Sequence, residues 1–241
     1  MPLFSRPDGV RAERVPLVRR FMPFLMRRRN ESAVWFEQDV AADPALAFAE
    51  SFSLAHGVRL SFFHLVLRAI ARVLDEHPRL NRYVVGRRLY QRTDIAISFS
   101  GKEAFETDAS LYVRKLIFDP RLPRPMIDTV VAAGRLLDYF NLLPASMIAT
   151  DPLYASAFVA NLGSVGIAGA YHHLYEYGTI PIFVVVGAYR RVAVVEEDGR
   201  IVAQRVATLK YTYDERVEDG FYCARAVSRM KELIEHPAEL A

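Results

Sequence analysis

The stretch Tyr211-Thr212-Tyr213-Asp214-Glu215-Arg216-Val217-Glu218-Asp219-Gly220-Phe221 decides the fold. Leu209–Tyr213 before it reads as a strand. After Asp219-Gly220, the residues Phe221, Ala224, Val227, Met230, Leu233 and Ile234 recur at helical spacing, which assigns them to the buried side of a closing helix that Pro237 stops. The quoted residues are thus a charged turn between a late strand and the last helix.

Working back from the turn, Val192–Val195 and Ile201–Val206 flank Glu197-Asp198-Gly199, a strong hairpin signal, and Ala157–Leu162 and Ile182–Ala188 read as buried strands. Ser61–His77 is the clearest helix: Ser61 is a plausible N-cap, Phe62, Leu65, Val66, Ala69, Ile70, Val73 and Leu74 form one apolar face, and Pro78 ends it. Tyr83–Tyr90, centred on Gly86, predicts a hairpin. Ala33–Val40 and Asp94–Phe99 predict strands, and Met126–Tyr139 predicts a helix after Pro120, Pro123 and Pro125. Pro16–Asn30 is a basic amphipathic segment interrupted by Pro23, which predicts either two short turns or a kinked helix, and residues 1–14 form a polar arm. Strands and helices mix without regular alternation. That predicts an α+β fold, a mixed sheet covered by helices in a two-layer sandwich, and disfavours a doubly wound nucleotide fold.

With 52% hydrophobic and 24% charged residues the chain can bury a sizeable core, and its apolar runs are too short to span a bilayer. The net charge of +3 is mild, although arginines crowd the beginning at Arg14, Arg19, Arg20, Arg27, Arg28 and Arg29. The simplest reading of that cluster is the solvated face of one helix; phosphates or anionic surfaces are the functional alternative. Cys223 is the only cysteine, so no intrachain disulfide forms, and its helix-periodic setting makes it core rather than a nucleophile. Cysteine usage and the absence of a signal peptide give a cytoplasmic location as the expectation. No Gly-rich phosphate loop and no zinc-ligand spacing occur, so no metal site is expected beyond one alternative, His172 or His173 with Glu176.

The turn resembles the signature of the 2-oxo acid dehydrogenase dihydrolipoamide acyltransferase catalytic domains, whose pattern runs approximately Ser-Phe-Asp-His-Arg-Val-x-Asp-Gly, and whose His-x-x-x-Asp-Gly core chloramphenicol acetyltransferase shares. Asp214, Arg216, Val217, Asp219 and Gly220 match it. Val15-Pro16-Leu17, Pro78-Arg79-Leu80-Asn81, Asn161-Leu162-Gly163-Ser164-Val165-Gly166 and the closing Lys231–Pro237 are similar to further family elements in the same order. The resemblance implies a chloramphenicol acetyltransferase-like fold over residues 15–241, without a lipoyl or subunit-binding domain, and a homotrimer with each site in a channel between subunits. It implies coenzyme A or acyl-CoA as ligand, with no covalently bound cofactor. Partners would be further copies of the chain and components of a 2-oxo acid dehydrogenase complex, not nucleic acid or membrane. A histidine would act as general base, a Ser or Thr hydroxyl would stabilise the oxyanion, and the signature Asp, here Asp219, would be structural and paired with Arg19 or Arg20.

Two departures strike that chemistry. Glu215 occupies the histidine position, and Ala160 the hydroxyl position. Loss of a general base costs ~10²–10⁴ in rate and loss of an oxyanion donor ~10²–10³, and a carboxylate is ordinarily a poor base toward a thiol. A third departure is Ser100–Glu106, which replaces the family's channel-lining Gly-Leu-Val-Val-Pro-Val loop. The expectation is a catalytically degenerate homologue serving as scaffold, regulatory or ligand-binding subunit. The alternative is an active CoA-dependent acyltransferase with a rearranged site, in which His172 or His173 supplies a relocated base.

Overall fold

The computed structural model describes residues 6–102, 111–112 and 136–240. The main elements among them are β1 (Gly9–Arg11), α1 (Leu17–Leu25), β2 (Ala33–Ala41), α2 (Asp43–His56), α3 (Phe62–Glu76), β3 (Arg82–Val85), β4 (Arg88–Arg92), β5 (Ile97–Lys102), β6 (Leu111–Tyr112), α4 (Ala145–Thr150), β7 (Ala157–Asn161), β8 (Ile182–Val195), β9 (Ile201–Asp214) and α5 (Gly220–Glu235). The main sheet has six strands in the order β2-β9-β8-β7-β5-β6. It is mixed: β7 runs parallel to β5 and β8, and the remaining pairs are antiparallel.

Helices cover one face of this sheet. The apolar stripe of α3 and the inner face of α5 pack with α2 on Val40, Val159, Val184, Val186 and Leu209, forming the main core. The start of α3 is fixed by Ser61, whose hydroxyl accepts from the His64 backbone N–H while His64 Nδ1 accepts from the Ser61 N–H, a capping box with imidazole in place of the usual carboxylate. The opposite face carries a smaller core of Phe158, Phe183, Val185, Leu174 and Ile180, roofed by the segment before β8.

A second sheet, β1-β4-β3, sits beside the first. The β3–β4 connection is a two-residue turn, Gly86 and Arg87, both with φ above +50° (55° and 59°), the pattern of a type I′ hairpin. The expected polar arm is docked over the part described: β1 pairs with β4, and Arg6 is buried. Its guanidinium donates to Asp8 at 2.8 Å and Asp138 at 2.7 Å, while the Tyr83 hydroxyl donates to Asp8 at 2.9 Å.

Several elements differ from expectation. The three expected strands at 182–188, 192–195 and 201–206 and the fourth at 209–213 are two 14-residue strands, continuous through a register shift between Val186 and Tyr189. Gly187 lies in that shift because a Cβ there would fall 1.8 Å from the Ala168 carbonyl oxygen. The helix α2 was not predicted: its apolar residues are spread around the axis, although Pro44 in its first turn and Gly57 in the left-handed C-cap mark its ends. β5 begins at Ile97, three residues after Asp94. The early arginines do not share one solvated helix face, since α1 ends at Leu25 and both Arg19 and Arg29 are buried. In α5 the buried face is Cys223, Ala226, Met230, Leu233 and Ile234, so Phe221 and Ala224 point to solvent. The Met126–Tyr139 helix lies outside the described residues except for 136–139, which are helical.

The helix-face assignment predicts a contrast. Leu233 is fully buried, and Leu233→Ala should lower stability by about 2–5 kcal/mol. Phe221 is 77% exposed, and Phe221→Ala should change stability by less than about 0.5 kcal/mol. Urea unfolding of the two variants measures the difference.

Candidate active site

The turn after β9 is built around a buried ion pair. Asp214 ends the strand with its backbone N–H donating to the Pro181 carbonyl at 2.9 Å. Its carboxylate accepts from Arg216 Nε at 2.8 Å and Nη2 at 2.7 Å, from the Arg216 backbone N–H at 3.1 Å and from the Ser32 hydroxyl at 2.8 Å. Both partners are buried, so the bidentate contact and its extra donors offset the cost of taking two charges out of water. Arg216 Nη1 also reaches the Met26 and Arg27 carbonyls at 3.4 Å, tying the residues after α1 to the turn.

Glu215, between the members of that pair, is half-buried. Its main chain is held on both sides: the N–H donates to the Ser32 carbonyl at 2.9 Å, and the carbonyl accepts from Arg19 Nη1 at 2.5 Å. The same guanidinium lies 3.7 Å from Asp219 Oδ2, so Arg19, not Arg20, is the partner of the signature aspartate. Asp219 also caps α5, accepting from the Tyr222 N–H at 2.9 Å. That backbone hydrogen bond, ahead of Arg19, holds its carboxyl below the usual carboxylate range. Asp219 thus links Arg19 to the first turn of α5.

Glu218 belongs to the same construction. It is buried, accepts from the Asp219 N–H at 3.2 Å and pairs with Arg79 at 3.3 Å and Arg82 at 3.8 Å. Ser32, Glu218, Arg79 and Arg82 were not singled out from the sequence. The only signal was the charge of Glu218 at a position the motif leaves open. Cys223 is core as expected: burial pushes its thiol up to about 12, which leaves it protonated and unreactive at neutral pH.

Ala160 lies elsewhere. It is directly opposite Ser100 on β5 and Val185 on β8, and Val185 faces Lys210 on β9. Glu215 is five positions beyond Lys210, so the two sites are separated by roughly 17 Å along the strands and by two strand spacings across them. One chain does not bring them together. His172 is on the same sheet side as Ala160: its ring stacks on Phe183 with centroids 4.0 Å apart, and its carbonyl accepts from Thr212 Oγ1 at 2.5 Å. Burial lowers its pKa, keeping the imidazole neutral. His173 stacks on His172. Glu176 turns away to accept from the Arg29 and Asn30 backbone N–H groups at 3.3 and 3.1 Å. Among the described residues no three His, Cys, Asp or Glu side chains converge on a metal-sized site. Of the Ser100–Glu106 stretch, only the first three residues, at the end of β5, are described.

Arg29, beside this segment, is fully enclosed. Its guanidinium donates to the carbonyls of Tyr175 at 2.8 Å, Tyr177 at 3.2 Å and Gly178. Burial brings it down to about 10, still cationic at neutral pH. It holds the His172–Tyr177 segment onto the sheet.

These elements occur in known proteins. Residues 150–241 match the model of the 2-oxoacid dehydrogenases acyltransferase (catalytic domain) family. That span includes the Asn161–Gly166 element, the signature turn and the closing helix. A curated relative, the lipoamide acyltransferase component of the branched-chain alpha-keto acid dehydrogenase complex of Bacillus subtilis, is 28% identical over 189 residues, which cover 77% of this chain and 42% of the relative. The chain thus spans about two fifths of the length of that relative. Among solved structures, a probable dihydrolipoamide acetyltransferase from Listeria monocytogenes superposes with a TM-score of 0.61 at 19% identity, covering 95% of both chains. The cubic core of a pyruvate dehydrogenase multienzyme complex does so with 0.61 at 20%, covering 95% of this chain and 93% of that one. The fold is that of the acyltransferase catalytic core, as the sequence resemblance implied.

The buried pair generates a stability prediction. Asp214→Asn leaves Arg216 buried without its counter-charge, and should cost about 3–5 kcal/mol. The check is the midpoint of chemical denaturation, with the exposed pair Arg200–Asp198 as control: Asp198→Asn should cost under about 1 kcal/mol.

Proposed function

We propose that this chain is an acyltransferase-fold subunit that has lost thiol acyl transfer and serves as a trimeric scaffold, regulatory or ligand-binding component. One observation carries the reading. The clamp that holds the signature turn is complete in Asp214, Arg216, Ser32, Arg19 and Asp219, while the two positions that would do chemistry hold a carboxylate, Glu215, and a methyl group, Ala160. Acyl transfer from a thioester needs a base for the attacking thiol and a donor for the oxyanion. Glu215 is a poor base for the first step and Ala160 offers no hydrogen bond for the second.

Assembly into trimers is supported by the separation of these positions within one chain and by α1. Its outward face exposes Leu17, Val18, Phe21, Phe24 and Leu25, an apolar patch on a helix whose buried residues include Arg19. The solved structure of a related cubic core makes components of a 2-oxo acid dehydrogenase complex the natural class of partner. Coenzyme A or an acyl-CoA is the ligand such a channel would retain.

A second reading, an active transferase with a relocated base, is favoured by His172 alone, a neutral imidazole on the sheet side of Ala160.

Restoring the missing groups tests the proposal. Acetyl-CoA to dihydrolipoamide transfer should be undetectable in the parent and in Glu215→His or Ala160→Ser singly, and measurable in the double variant, since both groups act on one intermediate. Light scattering should give three copies of the 27.4 kDa chain. A monomer, or transfer by the parent that His172→Ala abolishes, would overturn the reading.

A further inference from the structure

One concentration of charge is not explained by the signature turn. Residues 11–15, α1 and the β3–β4 turn enclose a groove of about 660 Å³ lined by Arg11, Arg14, Arg20, Arg87 and Arg88, with Glu13 its only carboxylate among the described residues. A depression of about 340 Å³ adjoins it, sharing Pro23, Gly86, Arg87 and Tyr139 and adding Arg27 and Arg28. The carboxylates of that depression are committed, Asp138 to Arg6 and Glu176 to backbone N–H groups. Among the described residues, Arg11, Arg14, Arg20, Arg27, Arg28 and Arg87 have no carboxylate within 4.0 Å of their guanidinium groups. In a chain whose net charge is only +3, so many unneutralised cations around one concavity repel one another and attract an anion.

The backbone supplies an independent observation. Three non-glycine residues among those described have positive φ: Arg14 at 51°, Arg87 at 59° and Asn141 at 58°. Asparagine tolerates that region, whereas arginine gains nothing from it. Arg87 sits at the second position of a type I′ turn, where glycine is strongly preferred. Two arginines therefore hold an unfavourable conformation, and both line the same groove. Such strain is characteristic of ligand-binding and active-site positions.

We propose that this groove binds a small ligand bearing two or more phosphoryl groups. Guanidinium forks match phosphate oxygens in bidentate geometry. The groove has the concavity and volume of a small-molecule site, where a nucleic acid or membrane would need an extended or flat basic surface. Tyr139 presents a half-exposed ring beside the cations, so a ligand with a planar base gains a stacking partner. The inference does not rest on the loss of acyl transfer. Arg19 lines the groove and also touches the Glu215 carbonyl, so one end of a bound ligand lies beside the signature turn.

Calorimetric titration of the full chain with pyrophosphate, ADP and coenzyme A, against sulfate at matched ionic strength, tests the site. At least one phosphorylated probe should bind while sulfate does not. Binding of pyrophosphate assigns recognition to the phosphates alone; binding of ADP or coenzyme A only adds the ring, and either outcome supports the site. The variant Arg14→Asn/Arg87→Asn should weaken that binding at least tenfold. It should also raise the thermal midpoint, by roughly 2–4 °C for each strained position relieved. Heats equal to those of sulfate, no binding by any probe, or affinity unchanged in the double variant would overturn the proposal. None of these readouts involves acyl transfer, so the result is separable from that of the rescue experiment.

Discussion

The Asp214–Arg216 pair is the constraint on which the rest of the molecule leans. It closes the end of β9, orients the turn into α5 and, through Ser32 and the Met26 and Arg27 carbonyls, pins the segment between α1 and β2. A buried ion pair is a costly way to gain stability, because its attraction must first repay desolvation. What it provides here is geometry: four donors, Arg216 Nε, Nη2 and backbone N–H and the Ser32 hydroxyl, converge on two carboxylate oxygens. Glu215 rides on that path, held through its backbone rather than its side chain.

That arrangement separates scaffold from chemistry. The contacts that fix the turn are made by backbone atoms of residue 215 and by side chains on either side of it, so the residue type at 215 is free to change without unmaking the turn. The same holds at Ala160, whose place is set by pairing of β7 with β5 and β8 and by the tight turn that follows Asn161. A fold with the acyltransferase architecture can therefore persist while the groups that would handle protons and negative charge are absent, and fold alone does not establish activity.

Much of this was legible in the sequence because the relevant signals are local. The period of α3, its Ser61 cap, the Gly86 hairpin and the order of short motifs all survive without tertiary context. The failures are tertiary. The separate strands at 182–188 and 192–195 are one, because the chain absorbs Gly187 as an irregularity instead of breaking there. Phe221 points outward because the helix phase is set by Asp219 capping and by Cys223 and Ala226 facing the sheet, small residues that carry little weight in a hydrophobic pattern. Helix α2 lacks a sharp apolar stripe, as expected for an element that packs on its neighbours mostly through alanines. At the site, motif matching located Asp214, Glu215, Arg216 and Asp219. The burial of Arg19 and Arg29 within a seemingly uniform basic run, and the convergence of Ser32, Arg79 and Arg82 on the turn from distant positions, depend on topology that no local pattern encodes.

Under the proposed function, residue 215 keeps its position without acting as a base. Single-turnover acyl transfer, with protein in excess over acetyl-CoA and dihydrolipoamide as acceptor, measures this most directly when the parent is compared with Glu215→Gln. Neither is expected to exceed the uncatalysed rate, and both are expected to unfold at the same denaturant concentration. Transfer by the parent that falls ~10²-fold or more in Glu215→Gln, with folding unchanged, would show the carboxylate acting as the base and contradict it.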